Sequence, residues 1–272
     1  MNNEQNMTQN SNQTTQTVAE QTTAEQKLAK KKLTRRIFIG GGLGALAVVG
    51  SGAGWAYNRY LAEHTEIEDT TAYEAAAAQA NASASGSATA SPSELTGVKV
   101  NGQSLTANEG SITITSTTTG SGSDAVVSFV ADIKLDNATL LRSAFANNKF
   151  GQNIIDTPSN IASEHNGIWA INGDYYGFRT TGIVIRNGVV YRDSGAREGL
   201  AFYHDGSVKL YDETATNAQS LVNEGVWNTL SFGPALIKDS AIVDGIDSVE
   251  VDTNFGNHSI QGNQPRTGVG VL

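Results

Sequence analysis

The run Ile168-Trp-Ala-Ile-Asn-Gly-Asp-Tyr-Tyr-Gly177 places an amide, a carboxylate and two phenols directly after a stretch of apolar chain. Asn172 both donates and accepts hydrogen bonds, which suits sugar hydroxyls, and Asp174 can move a proton if its surroundings raise its pKa. Gly173 between them is expected to permit a sharp turn that points both side chains into one cavity. The same three residues also fit a structural Asx turn at a strand end. Tyr175, Tyr176 and Phe178 suit a wall against which a sugar stacks, and equally suit a core.

Two further stretches carry chemistry. Ser231-Phe-Gly-Pro-Ala-Leu236 is a glycine-proline turn entering an apolar strand, followed by the hairpin-like Lys238 to Gly245. In Gln264-Pro-Arg-Thr-Gly-Val-Gly270, Pro265 fixes the backbone just before Arg266. An arginine held this way clamps a phosphate bidentately, with the Thr267 hydroxyl as a further donor, or pairs structurally with a carboxylate.

Other chemistries are excluded or unsupported. The chain has no cysteine, which removes disulfides, thiolate metal sites and a catalytic thiol. His64, His165, His204 and His258 lack metal-ligand spacing, so no metal site is expected. No Gly-x-Ser-x-Gly elbow, P-loop or dinucleotide fingerprint occurs. No cofactor is predicted; a divalent cation is neither indicated nor excluded.

The elements that must position these residues are short. Val98 to Gln103 and Ser111 to Thr115 alternate at period two, and a Gly/Ser turn at 120–124 precedes a longer apolar strand, Ala125 to Leu135. Asp136 or Asn137 can cap a helix carrying Leu140, Leu141, Ala144 and Phe145. Pro158 marks the first turn of another helix, with Gly167 beyond its end, delivering the chain into an Ile168 strand. Asn187-Gly188 and Asp205-Gly206 are hairpin signals within the runs Ile183 to Arg192 and Leu200 to Tyr211. Strands alternating with few short helices predict an α+β fold with mixed or antiparallel sheets.

Charge divides the chain unevenly. Residues 1 to 59 hold 7 Lys and Arg against 3 Asp and Glu, and the remainder holds 11 against 24. An acidic body offers no surface for phosphate backbones, which excludes nucleic acid as its partner. The basic cluster Lys27 to Arg36 directly precedes 37–57, a charge-free run of roughly 30 Å as a helix, about one hydrocarbon core. We expect a disordered, basic-ended cytoplasmic tail at 1–36 and a transmembrane signal-anchor at 37–57. An Ala/Ser-rich stalk at 58–94, briefly helical around Ala75 to Ala80, then leads to a folded domain at 95–272 outside the cell membrane. Thr34-Arg-Arg-Ile-Phe-Ile39 also fits a twin-arginine export signal, which gives release as the alternative to anchoring.

The ordered series Ala131-Asp-Ile, Ala144-Phe-Ala-Asn-Asn, Ala170-Ile-Asn-Gly-Asp-Tyr-Tyr-Gly, Ile185-Arg-Asn-Gly, Ser231-Phe-Gly-Pro-Ala and Pro265-Arg-Thr-Gly-Val-Gly resembles the phosphodiester glycosidase family, over about residues 95–272. The resemblance implies hydrolysis of the bond between a sugar's anomeric carbon and a phosphodiester, on a glycosyl phosphate or polysaccharide of the envelope. Asn172, Asp174 and Arg266 are then the candidate catalytic residues. Gly173, Tyr175, Tyr176, Arg192, Gly233 and Thr267 are candidate substrate-binding residues. The family continues beyond the Pro-Arg-Thr strand into an Asp-Gly-Gly-Gly loop, so the resemblance also implies a domain incomplete at Leu272. The competing expectation is a non-catalytic envelope module that binds a glycan or supports polymer assembly.

Overall fold

The computed structural model describes residues 54–85, 95–248 and 265–272. The chain divides into two units, Met1–Ala62 and Glu63–Leu272. In the first, residues 54–60 are helical and the rings of Trp55 and Tyr60 meet edge-on at 5.9 Å. Among the described residues no helix is long and apolar enough to cross a membrane. The tail expected at 1–36, the span at 37–57 apart from residues 54–57, and residues 86–94 of the stalk lie outside the described residues.

The second unit is α+β, with every described strand pairing antiparallel. It opens with β1 (His64–Ile67) and α1 (Thr70–Ser85), residues expected to belong to the stalk. They are built into the body instead. Strand β1 pairs with β6 (Phe150–Gln152), and the Asp69 carboxylate caps α1 by accepting from the Ala72 amide at 3.0 Å. The Thr70 hydroxyl donates to Asn148 Oδ1 at 2.6 Å, and the Tyr73 hydroxyl donates to the Val190 carbonyl at 3.0 Å. Glu74 accepts from Asn187 and Tyr191, and Ala77 packs on an aromatic core. Thr70, Tyr73, Glu74 and Ala77 share one helical face, a spacing hidden in a run whose composition reads as a spacer.

Strands β2 (Lys99–Asn101), β3 (Ser104–Ala107), β4 (Gly110–Thr119) and β5 (Val126–Leu135) form a meander in that order. The β4–β5 ribbon keeps register from Gly110 opposite Leu135 to Thr119 opposite Val126. Its far end is open: Val126, Val127, Phe129 and Val130 on the edge strand are all exposed.

The core surrounds the hairpin of β7 (Gly182–Arg186) and β8 (Val189–Ser194). Asn187 and Gly188 turn it with φ of 52° and 76°, the doubly left-handed pair that matches strand twist. Period-two alternation sends Ile183 and Ile185 to one side and Val184 to the other. The first side packs on Ala201 of β9 (Glu198–Tyr203), Val226 of β11 (Val226–Leu230), and Ala218 and Leu221 of α3 (Ala218–Asn223). The second meets Phe145, Phe150 and Tyr191. Strand β10 (Val208–Asp212) completes a sheet in the order β10-β9-β11. The Thr229 hydroxyl joins β7 to β11, accepting from the Ile185 amide and donating to the Ile183 carbonyl, both at 2.9 Å. A side chain thereby satisfies backbone groups that a ladder would otherwise satisfy.

Two expected elements differ. The helix foreseen over Leu140 to Phe145 is only a 3-10 turn, Ala138–Leu140, capped by Asn137, whose carboxamide oxygen accepts from the Thr139 amide at 2.9 Å. Phe145 lies beyond this turn, in extended backbone just before a second 3-10 turn, Ala146–Asn148, and enters the aromatic core. The segment from Ile168 is not a strand: it belongs to no sheet among the described residues, and Ile168 and Ile171 are nearly half exposed. The helix before it, α2 (Pro158–Glu164), forms as expected, capped by the Thr157 hydroxyl, which accepts from the Asn160 amide at 3.2 Å. Late in the described chain, β12 (Ile237–Lys238) and β13 (Ala241–Ile242) make the expected small hairpin.

Candidate active site

Asp174 is the most enclosed of the candidate residues. Its carboxylate lies 2.8 Å from Arg186 Nη2, and the two side chains are 1% and 5% exposed. The other carboxylate oxygen accepts from the Ser231 amide at 2.6 Å. Arg186, the last residue of β7, also donates to the carbonyls of Ile185 and Thr229 and lies over the Tyr176 ring at 5.8 Å. The expectation was a carboxylate facing a cavity. The structure instead gives both its oxygens protein partners, the arrangement that makes burying a charge tolerable.

Ser231 gathers the surrounding chain. Its amide donates to Asp174, its carbonyl accepts from Arg179 Nη1 at 3.2 Å, and its hydroxyl accepts from Arg197 Nη1 at 2.9 Å. Asp174 and Arg179 bound one loop, which is therefore fastened at both ends to the same residue. Arg197 reaches on to the Thr181 hydroxyl at 2.8 Å. Beneath this junction, buried Glu213 accepts from the amides of Ile183, Ala196 and Arg197 at 2.9 to 3.2 Å. Gly182 has a φ of 109°, and a β-carbon there would stand 2.5 Å from the Ser231 hydroxyl, so both its backbone and its surroundings require glycine.

Gly173 differs from expectation. Its φ is not left-handed, and a β-carbon would meet only Leu230 at 3.8 Å, an ordinary contact. The chain direction at this point is set by the fastening of Asp174, not by glycine's conformational freedom. Gly233 does need that freedom, with a φ of 66° next to a cis bond to Pro234.

The aromatics separate into two groups. Tyr176 is a core residue: its ring stacks on Phe150 at 5.7 Å and meets Phe145 edge-on at 5.4 Å, and burial raises its phenol pKa. Tyr175 faces outward, 48% exposed, with its ring 5.3 Å from Phe232. The Arg179 guanidinium lies over both, 5.6 Å from the Tyr175 centroid and 5.1 Å from that of Phe232. Arg192, expected to bind substrate, donates to the Tyr176 carbonyl at 3.0 Å and lies over Phe150 at 5.3 Å. Burial lowers its pKa, and its contacts support the loop from the core side.

Asn172 and Thr267 are brought together across 95 residues of sequence: the Thr267 hydroxyl donates to Asn172 Oδ1 at 2.7 Å. Both are exposed, as is Arg266 beside Thr267. Among the described residues no group of three or more His, Asp or Glu side chains could hold a metal ion.

Sequence reasoning did not single out Arg186, Ser231, Arg179, Arg197, Phe232 or Glu213 for a role. The signal existed for two of them, since Arg186 follows a buried strand and Ser231 opens the glycine-proline turn. Both occur within motifs already noted as an ordered series.

Residues 165–272 match the family described as phosphodiester glycosidase. The SPbeta prophage-derived uncharacterized protein YomE of Bacillus subtilis (strain 168) is 33% identical over 100 residues, which cover 34% of this chain and 15% of that protein. The chain thus spans a small part of the length of the relative it matches. No solved structure matches. Asp174, Arg186, Ser231, Asn172 and Thr267 all fall inside the stretch that matches the phosphodiester glycosidase family.

Proposed function

We propose that this domain hydrolyses a glycosyl-1-phosphodiester, releasing a sugar from an envelope or extracellular polymer. Water adds to the anomeric carbon, the bond from that carbon to the phosphate oxygen breaks, and the phosphate leaves as a monoester carrying the bonding electrons. One proton of the water passes to solvent. A phosphate monoester is a weak base, so its departure needs charge stabilisation more than a strong acid. Arg266 is suited to the phosphate, and Asn172 with Thr267 to sugar hydroxyls. The observation that carries this reading is the Asn172–Thr267 contact, which joins two distant motifs within the family-matched stretch.

Asp174 takes a positioning role here. With both oxygens occupied and its side chain buried, it fixes Ser231 and the loop before Arg179 instead of carrying the reacting proton. That same commitment favours the second reading, a module that binds a glycan without cutting it.

The full chain, incubated with a sugar-1-phosphodiester, is expected to yield free sugar and a phosphate monoester. Sugar phosphate as the product would mean cleavage on the phosphorus side. Binding with no product would leave the glycan-binding reading in its place. The proposed setting is the outer side of the cell membrane, with residues 37–57 as anchor.

A further inference from the structure

The geometry points to Tyr175 and Phe232 as a stacking platform for a pyranose ring, the subsite that receives the sugar. This rests on the reading of the domain as acting on a glycosyl phosphate, because that reading makes the ligand a sugar.

Most aromatic residues near this loop are enclosed. Phe145, Phe150, Tyr176 and Tyr191 form one cluster around β7 and β8. Tyr175 stands apart, with about half its surface open, and its partner Phe232 is half-buried. Exposure alone does not mark a site, since Phe129 on a strand edge is more exposed; Tyr175 differs in being held firmly. Asp174 immediately before it and Arg179 shortly after it both bond to Ser231, the residue preceding Phe232. The two rings therefore come from separate parts of the chain, and their spacing is set by bonds to the backbone amide and carbonyl of one residue, Ser231.

The guanidinium of Arg179 sits over both rings and is anchored to the Ser231 carbonyl, so it braces the pair. Preorganisation of this kind lowers the ordering cost of binding. A pyranose with equatorial hydroxyls presents a flat patch of axial C–H groups that suits an aromatic face. Its rim of hydroxyls suits polar groups such as Asn172, which lies two residues before Asp174 in the same stretch. Tyr176, the neighbouring phenol, cannot share this task because its ring is stacked on Phe150.

The test uses the full chain in a detergent without a sugar headgroup. Methyl α-pyranosides of glucose, galactose, mannose and N-acetylglucosamine, inorganic phosphate and uridine serve as probes. Saturation-transfer NMR on the unaltered protein is expected to carry magnetisation from aromatic protons to the ring C–H protons of at least one pyranoside. Tyr175→Ala and Phe232→Ala should each weaken that pyranoside about fivefold to tenfold, the range that one aromatic contact supplies. Tyr175→Phe should retain it within about twofold, and phosphate binding should stay unchanged throughout.

No aromatic transfer to any pyranoside, unchanged affinity in both alanine variants, or an equal loss in Tyr175→Phe would each overturn the platform. So would preference for uridine over every pyranoside. If an alanine variant fails to fold, Tyr175→Leu and Phe232→Leu carry the same comparison, and unchanged pyranoside affinity in both would overturn the platform. Pyranoside binding that passes these tests without release of sugar from a phosphodiester would support the platform while removing the hydrolytic reading. Hydrolysis with unaltered KM in Tyr175→Ala would do the reverse.

Discussion

At the scale of single residues, the Asp174–Arg186 pair decides what the carboxylate can do. Removing one partner of a buried, hydrogen-bonded ion pair leaves the other charge stranded and costs about 3–5 kcal/mol, whereas removing both is often neutral. Asp174→Asn alone is therefore expected to lower the unfolding free energy by about that amount, measured by urea titration. Combining it with Arg186→Met should restore most of the loss. The amide that replaces the carboxylate still accepts from the Ser231 amide, so a positioning role predicts turnover within about tenfold of wild type in the double variant. A proton-transfer role predicts a deficit of about 10²–10⁴-fold that the second substitution does not repair.

At the scale of elements, docking of α1 on β8 depends on Glu74. Its carboxyl pKa is raised by burial, against the lowering effects of hydrogen bonds from Asn187 and Tyr191 and the charges of Arg142 and His165. A folded-state value above the ordinary 4.5 means that the folded form holds its proton more tightly. The stability this group contributes is fully present below its unfolded value and is lost as pH rises through the raised one. Glu74→Gln keeps the carbonyl acceptor and removes the charge. Its urea midpoint should exceed that of wild type at pH 7, and the difference should close by about pH 4. A lower midpoint at pH 7 would mean that the contact with partly exposed Arg142 outweighs desolvation. That contact, at 3.8 Å, is expected to be worth little.

Elements were legible wherever the code was local. The turn at Asn187-Gly188, the Thr157 cap before Pro158 and the period-two runs on both sides of residues 120–124 each specify their structure within a few neighbours. Composition misled at Thr70 to Ala77, where an alanine-rich run conceals a docking face. Apolar content misled at Ile168, because a strand also needs a partner that its own residues do not reveal. For the site, the motifs were visible but their convergence was not. Arg186 and Ser231 lie 45 positions apart in the sequence, and only the tertiary fold brings them to the same carboxylate.

At the scale of the whole molecule, the uneven charge and the charge-free run at 37–57 lead to an expected topology, with that run as the proposed anchor. The intact chain should stay with the membrane fraction through an alkaline carbonate wash, and protease added outside the cell should digest the domain. Deleting residues 1–57 should leave that domain on the cytoplasmic side; a chain shortened at its N-terminus and found in the medium would favour the twin-arginine route with release. The double fastening of residues 174–179 to Ser231 has a further consequence. Surface loops ordinarily tolerate gained or lost residues, since only their two ends are fixed to the scaffold. Here the two ends converge on the amide and the carbonyl of a single residue, so the segment behaves as a non-covalent macrocycle of set circumference. Insertions should be accepted readily at the Gly/Ser turn of 120–124 and rejected between Asp174 and Arg179, where one added residue would open the ring.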